Sequence, residues 1–337
     1  MTRVIARSPT RLAALYAPAL LALAVAFVPA QARSRAGTCP IVDAIAPLAA
    51  VAAATAGEPD AEQIAAYRQA LIDAHPGLYA ESVLDLEPGP VMDRKILASL
   101  AQARTARDRN ALIARLRAQI AATSRGFARV FPDFSCHFTV YLTDSLGQLD
   151  GAGRMVDGRP SMVIGVGSVE QELPRLSLPV FLNHEFFHRY HFQAAGFSDD
   201  PAEHQQIWRA LWAEGLATYV SKALTPGATT ADALLSSHLE ARAQPLMPQL
   251  AGDLLAGMDR IDVELFDEYF TSGPVAARHA LPARTGYYVG CVVAGRLAER
   301  RTLAQLAHLR GEALHAEIAA TLRELATYGA VVRAPQR

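Results

Sequence analysis

The chain offers little to a nucleic acid, to a disordered tail or to a cysteine-bound metal. Its 32 basic residues are offset by 33 acidic ones, so there is no cationic footprint for a phosphate backbone, and nucleic acid is excluded as an expected partner. Lys95 and Lys222 are the only lysines; the arginine bias reads as coding preference and carries no function. No Pro/Gly-rich tract and no internal repeat is visible. Of the three cysteines, Cys39, Cys136 and Cys291, none is spaced as in a cysteine zinc site. What is present is apolar: 51% hydrophobic and 19% charged residues over 337 positions. That excludes intrinsic disorder and supplies a core for one large or two modest domains.

The first 32 residues read as a leader. Arg3, Arg7 and Arg11 precede the apolar stretch Leu12–Val28, and Ala30-Gln31-Ala32 provides a small-x-small cleavage pattern. An uncleaved anchor competes, because the stretch sits at the short end of what spans a bilayer; Pro18 and the cleavage site favour a secretory signal cut after Ala32. Cleavage leaves no membrane span and makes the net charge more negative, since three arginines and no acid are lost. Cys39 is not a lipidation site, because Ala36-Gly37-Thr38 lacks the large aliphatic residue such sites carry. A periplasmic or secreted protein is expected. In an oxidising compartment three cysteines imply one bridge and one spare thiol; Cys39–Cys136 is the preferred pair, with Cys291 a small buried hydrophobe on a helix.

Beyond the leader the hydrophobic period is helical, then strand-like, then helical again. Residues 44–55 are an Ala-rich stretch interrupted by Pro47 whose pattern specifies no element. Helices are expected near residues 62–74 (Ile64, Tyr67 and Leu71 inward), 91–104 and 108–124, the last ending at Gly126. Cys136–Thr143 alternates, with Phe138, Val140 and Leu142 on one face. Residues 155–166 read as a hairpin about Asp157-Gly158. From Pro179 onward the pattern is almost wholly helical. The expected class is α+β. A helical region over 33–130 packs on the core, and 131–337 forms a small antiparallel-containing sheet followed by a mainly helical catalytic domain.

The sharpest chemical signal is His184-Glu185-Phe186-Phe187-His188. On a helix His184 and His188 project one turn apart from one face and can share a tetrahedral Zn²⁺. Glu185 lies about 100° around the axis, where it suits a general base acting on water. Ser177 and Pro179 fit the start of such a helix and Gly196 its end. The five-residue pattern also arises by chance, so a third ligand matters. Glu214 lies among Ala210, Leu211, Ala217 and Thr218 on a small, apolar helix face where a lone carboxylate is costly. Its neighbour Gly215 sacrifices about 1 kcal/mol of helix propensity, which close helix packing at a shared ion would explain. A buried ion pair with Arg209 or another arginine is the ordinary alternative for Glu214. Glu203 competes as a ligand, but its place in the capping signature Asp200-Pro201-Ala202-Glu203 already accounts for it.

His184-Glu185-x-x-His188, 25 intervening residues and then Glu214 in Trp212-Ala213-Glu214-Gly215-Leu216-Ala217-Thr218-Tyr219 resemble the gluzincin zinc metallopeptidases. More narrowly, this segment and Gly286-Tyr287-Tyr288-Val289-Gly290 resemble the poorly characterised bacterial families of predicted Zn-dependent proteases. The resemblance covers roughly Cys136 to Arg300. It implies His184, His188 and Glu214 as zinc ligands, Glu185 as base, and a strand upstream of the zinc helix that pairs with an extended substrate. The metzincin pattern fails, since it wants Gly at 191 and His at 194 where this chain has His191 and Ala194; His191 reads as a structural or ligand-supporting histidine. Gluzincin-like chemistry also wants an oxyanion donor. Tyr287, Tyr288, His279 and Arg284 are candidates, Tyr288 being preferred and Tyr287 the alternative. Asn183 either orients a ligand or faces solvent. The expected function is an exported, zinc-dependent peptidase acting on peptide or protein substrates; the alternative is a non-catalytic exported module binding zinc and peptide.

Overall fold

The computed structural model describes residues 38–174, 176–196, 206–272 and 281–328. The leader, the Asp200–Glu203 capping signature and His279 lie outside them. The protein is α+β, 65% helical with a four-stranded mixed sheet, and Ser34–Arg337 forms one compact unit. Among the described residues no helix is long and apolar enough to cross a membrane.

The sheet runs β1 (Ile41–Asp43), β2 (Thr139–Thr143), β4 (Arg159–Gly165), β3 (Gly151–Val156). β1 and β4 flank β2 in parallel, and β3 is antiparallel to β4. Alternation fixes β2, whose Val140 and Leu142 are fully buried. Asp157 and Gly158 both take left-handed backbone, φ 50° and 70°, as a two-residue hairpin whose twist matches its strands requires. The expected hairpin is therefore present, with β3 starting four residues earlier than the sequence suggests. The parallel partner β1 was not expected: three residues hold too little pattern to read, and it is register with β2, Ile41 opposite Val140, that makes it a strand. Through β1 the region before residue 130 joins the sheet itself as well as packing on it.

Helices Asp60–Tyr67, Pro90–Thr105 and Arg109–Val130 match the expected stretches, and the Ala-rich stretch before them forms the helix Leu48–Ala54. Gly126 does not end the last of them. Fully buried Phe127 packs on Phe131, Phe186 and Tyr190, and burying that ring, worth about 1.5–3 kcal/mol, outweighs the roughly 1 kcal/mol a mid-helix glycine loses. The Asp60–Tyr67 helix continues through a π-helical turn, Arg68–Ile72. Where these helices meet the end of β2, buried Asp144 accepts from the Tyr67 hydroxyl at 2.8 Å, from Ser99 Oγ and from the Leu146 amide, so the carboxylate carries its partners with it into the interior. The Cys39–Cys136 disulfide, Cα–Cα 5.2 Å, lies just before β1 and β2, and Cys291 is a free, buried thiol.

Candidate functional site

Three helices build the site. The histidine helix spans Leu178–Ala195, with Ser177 at its N-cap position, Pro179 in its first turn and Gly196 left-handed just past its end; Ser177 makes no side-chain capping bond. The glutamate helix spans Ile207–Ala223 and the tyrosine helix Thr285–Ala298. The glutamate and tyrosine helices cross at Gly215 and Gly290. A β-carbon on Gly215 would come 2.2 Å from the Gly290 carbonyl carbon, and one on Gly290 would come 2.3 Å from the Leu211 carbonyl oxygen. Gly215 therefore serves close packing as expected, but its neighbour is the tyrosine helix rather than the histidine helix.

His184, His188 and Glu214 converge. The Nε2 atoms of the two histidines lie 3.0 Å apart, and one Glu214 oxygen, Oε2, lies 3.4 Å from His184 Nε2 and 3.3 Å from His188 Nε2. Zinc bonds of about 2.0–2.1 Å in a tetrahedron set ligand atoms about 3.3 Å apart, so the three donors have the spacing and the chemistry to hold such an ion. Among the described residues they are the one group of three so disposed. Their titration reflects the crowding. Burial, with the neighbouring His188 and Arg284 charges, lowers His184 despite Glu214. Burial alone would lower His188 too, but the Glu214 charge and hydrogen bond carry it upward. Burial pushes Glu214 up, yet the two imidazoles prevail and hold it well below the carboxylate range.

Glu185 projects from the same helix toward β3. A β-carbon at Gly151 would come 2.9 Å from its Cγ, and one at Gly153 3.0 Å from Arg189 Cδ. Both glycines let the edge strand lie directly against the histidine helix. Burial, with Asp150 and Glu214 nearby, lifts the Glu185 carboxyl to about 7 against the pull of His188 and Arg154. That places its affinity for a proton in the range a general base and acid needs. These glycines were missed in the sequence, although Gly151-x-Gly153 in a strand is a recognisable sign of close backbone approach.

Of the two tyrosines, Tyr287 faces the site and Tyr288 does not. The Tyr287 ring stacks on His184 with centroids 6.2 Å apart and planes at 17°, and its hydroxyl interacts with Glu214. Burial and that carboxylate push the phenol up, so it stays a donor. Tyr288 is buried on the far side, where burial and the charges of Glu240 and Cys291 push it up to about 12. The alternative, Tyr287, is thus the tyrosine that stands beside the three donors, and the preferred Tyr288 is not: neighbours on a helix point about 100° apart, and the Phe270 ring fills the space where a Gly286 β-carbon would stand. Arg284, at the start of the helix, lies over the Tyr287 ring at 4.2 Å.

No protein-family model, curated protein or solved structure matches this chain. The site is therefore read from its own geometry. It opens into a cleft of about 1000 Å³ whose walls include Asp150, Arg154, Phe192, Leu235, Phe270 and Arg284. His191 and Asn183 are not in that wall. His191 is fully buried, stacked on Phe187 at 5.2 Å and edge-on to Trp212, and burial lowers its pKa to about 3. Asn183 neither orients a ligand nor faces solvent: it accepts from Thr123 Oγ1 and donates to Thr225 Oγ1 at 2.9 Å, tying three helical segments together.

Proposed function

We propose that the protein is an exported zinc metallohydrolase of gluzincin type that cleaves peptide bonds. The observation that carries this reading is the convergence of two imidazole nitrogens and one carboxylate oxygen beside a half-buried Glu185, at the floor of a cleft. His184, His188 and Glu214 hold the ion. Zinc bound there supplies Lewis acidity, which acidifies water and polarises a carbonyl. Glu185 takes the proton of the attacking water and passes it to the leaving amine; desolvation makes it basic enough for the first step and acidic enough for the second. Tyr287 donates its hydroxyl to the developing oxyanion. β3 is the edge strand of the sheet and its Gly151–Arg154 segment lines the cleft, which suits an extended peptide that adds as a strand. Export rests on the leader, and the Cys39–Cys136 bridge accords with an oxidising compartment.

The purified protein is expected to hold about one zinc per chain and to lose peptidase activity on chelation. Metal analysis of His184→Ala, His188→Ala and Glu214→Ala should show the zinc lost in each. Zinc retained at full stoichiometry in Glu214→Ala would contradict the ligand set.

A further inference from the structure

Arg284 differs from the other cations of the cleft. Arg154 donates to the Val83 carbonyl at 2.9 Å and pairs with Asp85 at 3.2 Å, and the Arg189 side chain lies at the surface of Gly153. No carboxylate among the described residues pairs with Arg284, whose close partner is the face of Tyr287. It is half-buried, lines the cleft, and sits in the left-handed region at φ 63°, a backbone state that a β-carbon disfavours and glycine or asparagine would occupy more easily. Its planar fork of five N–H donors matches a carboxylate in two parallel hydrogen bonds. The Tyr287 ring centroid lies 4.2 Å from the Arg284 guanidinium and 6.2 Å from the His184 ring centroid, so the guanidinium stands within about three extended residues of His184 at roughly 3.3–3.6 Å each.

We propose that Arg284 is a specificity residue that pairs with a carboxylate of the substrate a few residues from the scissile bond. This rests on the peptidase reading of the metal centre and narrows its substrates to peptides carrying that group, either a free C-terminus or an Asp or Glu side chain. The two sources share one chemistry, and matched peptides separate them.

The test uses the full chain, zinc-loaded and carrying Glu185→Gln so that peptides are not consumed. Dissociation constants are measured for peptide pairs that differ only as C-terminal acid against amide, and for a positional scan of Glu against Gln. The carboxylate member of at least one series should bind on the order of 10- to 100-fold more tightly, the range for hydrogen bonds to a charged group. That preference should fall below about threefold with Arg284→Gln, while Arg284→Lys, which keeps charge but loses the fork, should retain part of it. Zinc content and circular dichroism check the fold of each variant, and Arg284→Lys carries the test if Arg284→Gln does not fold. Loss of preference in the acid/amide pairs assigns the C-terminus, and loss in the Glu/Gln scan assigns a side chain. Equal binding in both series, or a preference unchanged by Arg284→Gln or Arg284→Lys, would overturn the proposal. So would equal weakening of both members of every pair, which would put Arg284 on the scissile carbonyl. Hydrolysis by the zinc-loaded wild type is scored separately. A carboxylate preference that depends on Arg284 in a protein that cleaves nothing would sink the peptidase reading and leave the arginine's role in binding standing.

Discussion

Gly290→Ala adds one methyl group where the glutamate and tyrosine helices cross. The new β-carbon would lie 2.3 Å from the Leu211 carbonyl oxygen and 2.7 Å from Gly215 Cα. Both obstacles are backbone, so no rotamer change relieves them, and the helices must separate by roughly 1 Å to restore contact distances of about 3.5 Å. Overpacking of this kind costs about 1–3 kcal/mol, while replacing a mid-helix glycine returns about 1 kcal/mol. The net expectation is a loss of up to about 2 kcal/mol in denaturant unfolding. Activity should fall further than stability implies, because the crossing sets Tyr287 against Glu214 and His184, and a displacement of about 1 Å at a site can cost on the order of 10²-fold. Gly126→Ala is the control: its β-carbon meets nothing within 4 Å, and it should stabilise the protein by about 0.5–1 kcal/mol. A Gly290→Ala protein as stable and as active as wild type would refute the argument that this contact shapes the site.

Removing the Cys39–Cys136 bridge, whose cysteines are 97 residues apart in sequence, should lower unfolding free energy by about 2–4 kcal/mol; an unchanged denaturation midpoint in the Cys39→Ser/Cys136→Ser variant would argue against it. His191 is buried in its neutral form with a pKa lowered to about 3, so the unfolded chain takes up the proton first. Its contribution, up to about 5 kcal/mol, is present above pH 6.5 and is lost as pH falls toward 3; His191→Phe should flatten that part of the stability–pH curve, and an unaltered curve would contradict the assignment. Tyr287→Phe should lower kcat by about 10²–10³-fold while Tyr288→Phe changes it little, and steady-state kinetics showing the reverse would restore Tyr288 as the donor.

Much of this architecture was legible because it rests on local pattern. The i, i+4 histidines need only a helix, and the periods around Val140 and Asp157 name their own strand and turn. Glu214 was legible because a carboxylate among Ala210, Leu211 and Ala217 asks for a partner. What could not be read depends on contacts between distant segments. Strand β1 exists through its pairing with Val140 and its neighbours, and the choice between Tyr287 and Tyr288 turns on which of them meets His184 and Glu214. Asn183 sits one residue before His184, and only the positions of Thr123 and Thr225 show that it serves packing. Gly215 was noticed for its helix cost, yet its actual neighbour, Gly290, lies in a helix 75 positions away.

The most direct test of the account is Glu185→Gln, assayed for bound zinc and peptide hydrolysis on the same preparation. The change is nearly isosteric and touches no ligand, so about one zinc per chain should remain. Loss of the proton acceptor should reduce kcat by about 10²–10⁴-fold, with little change in substrate affinity. A zinc-loaded Glu185→Gln protein that hydrolyses peptides at the wild-type rate would contradict the account.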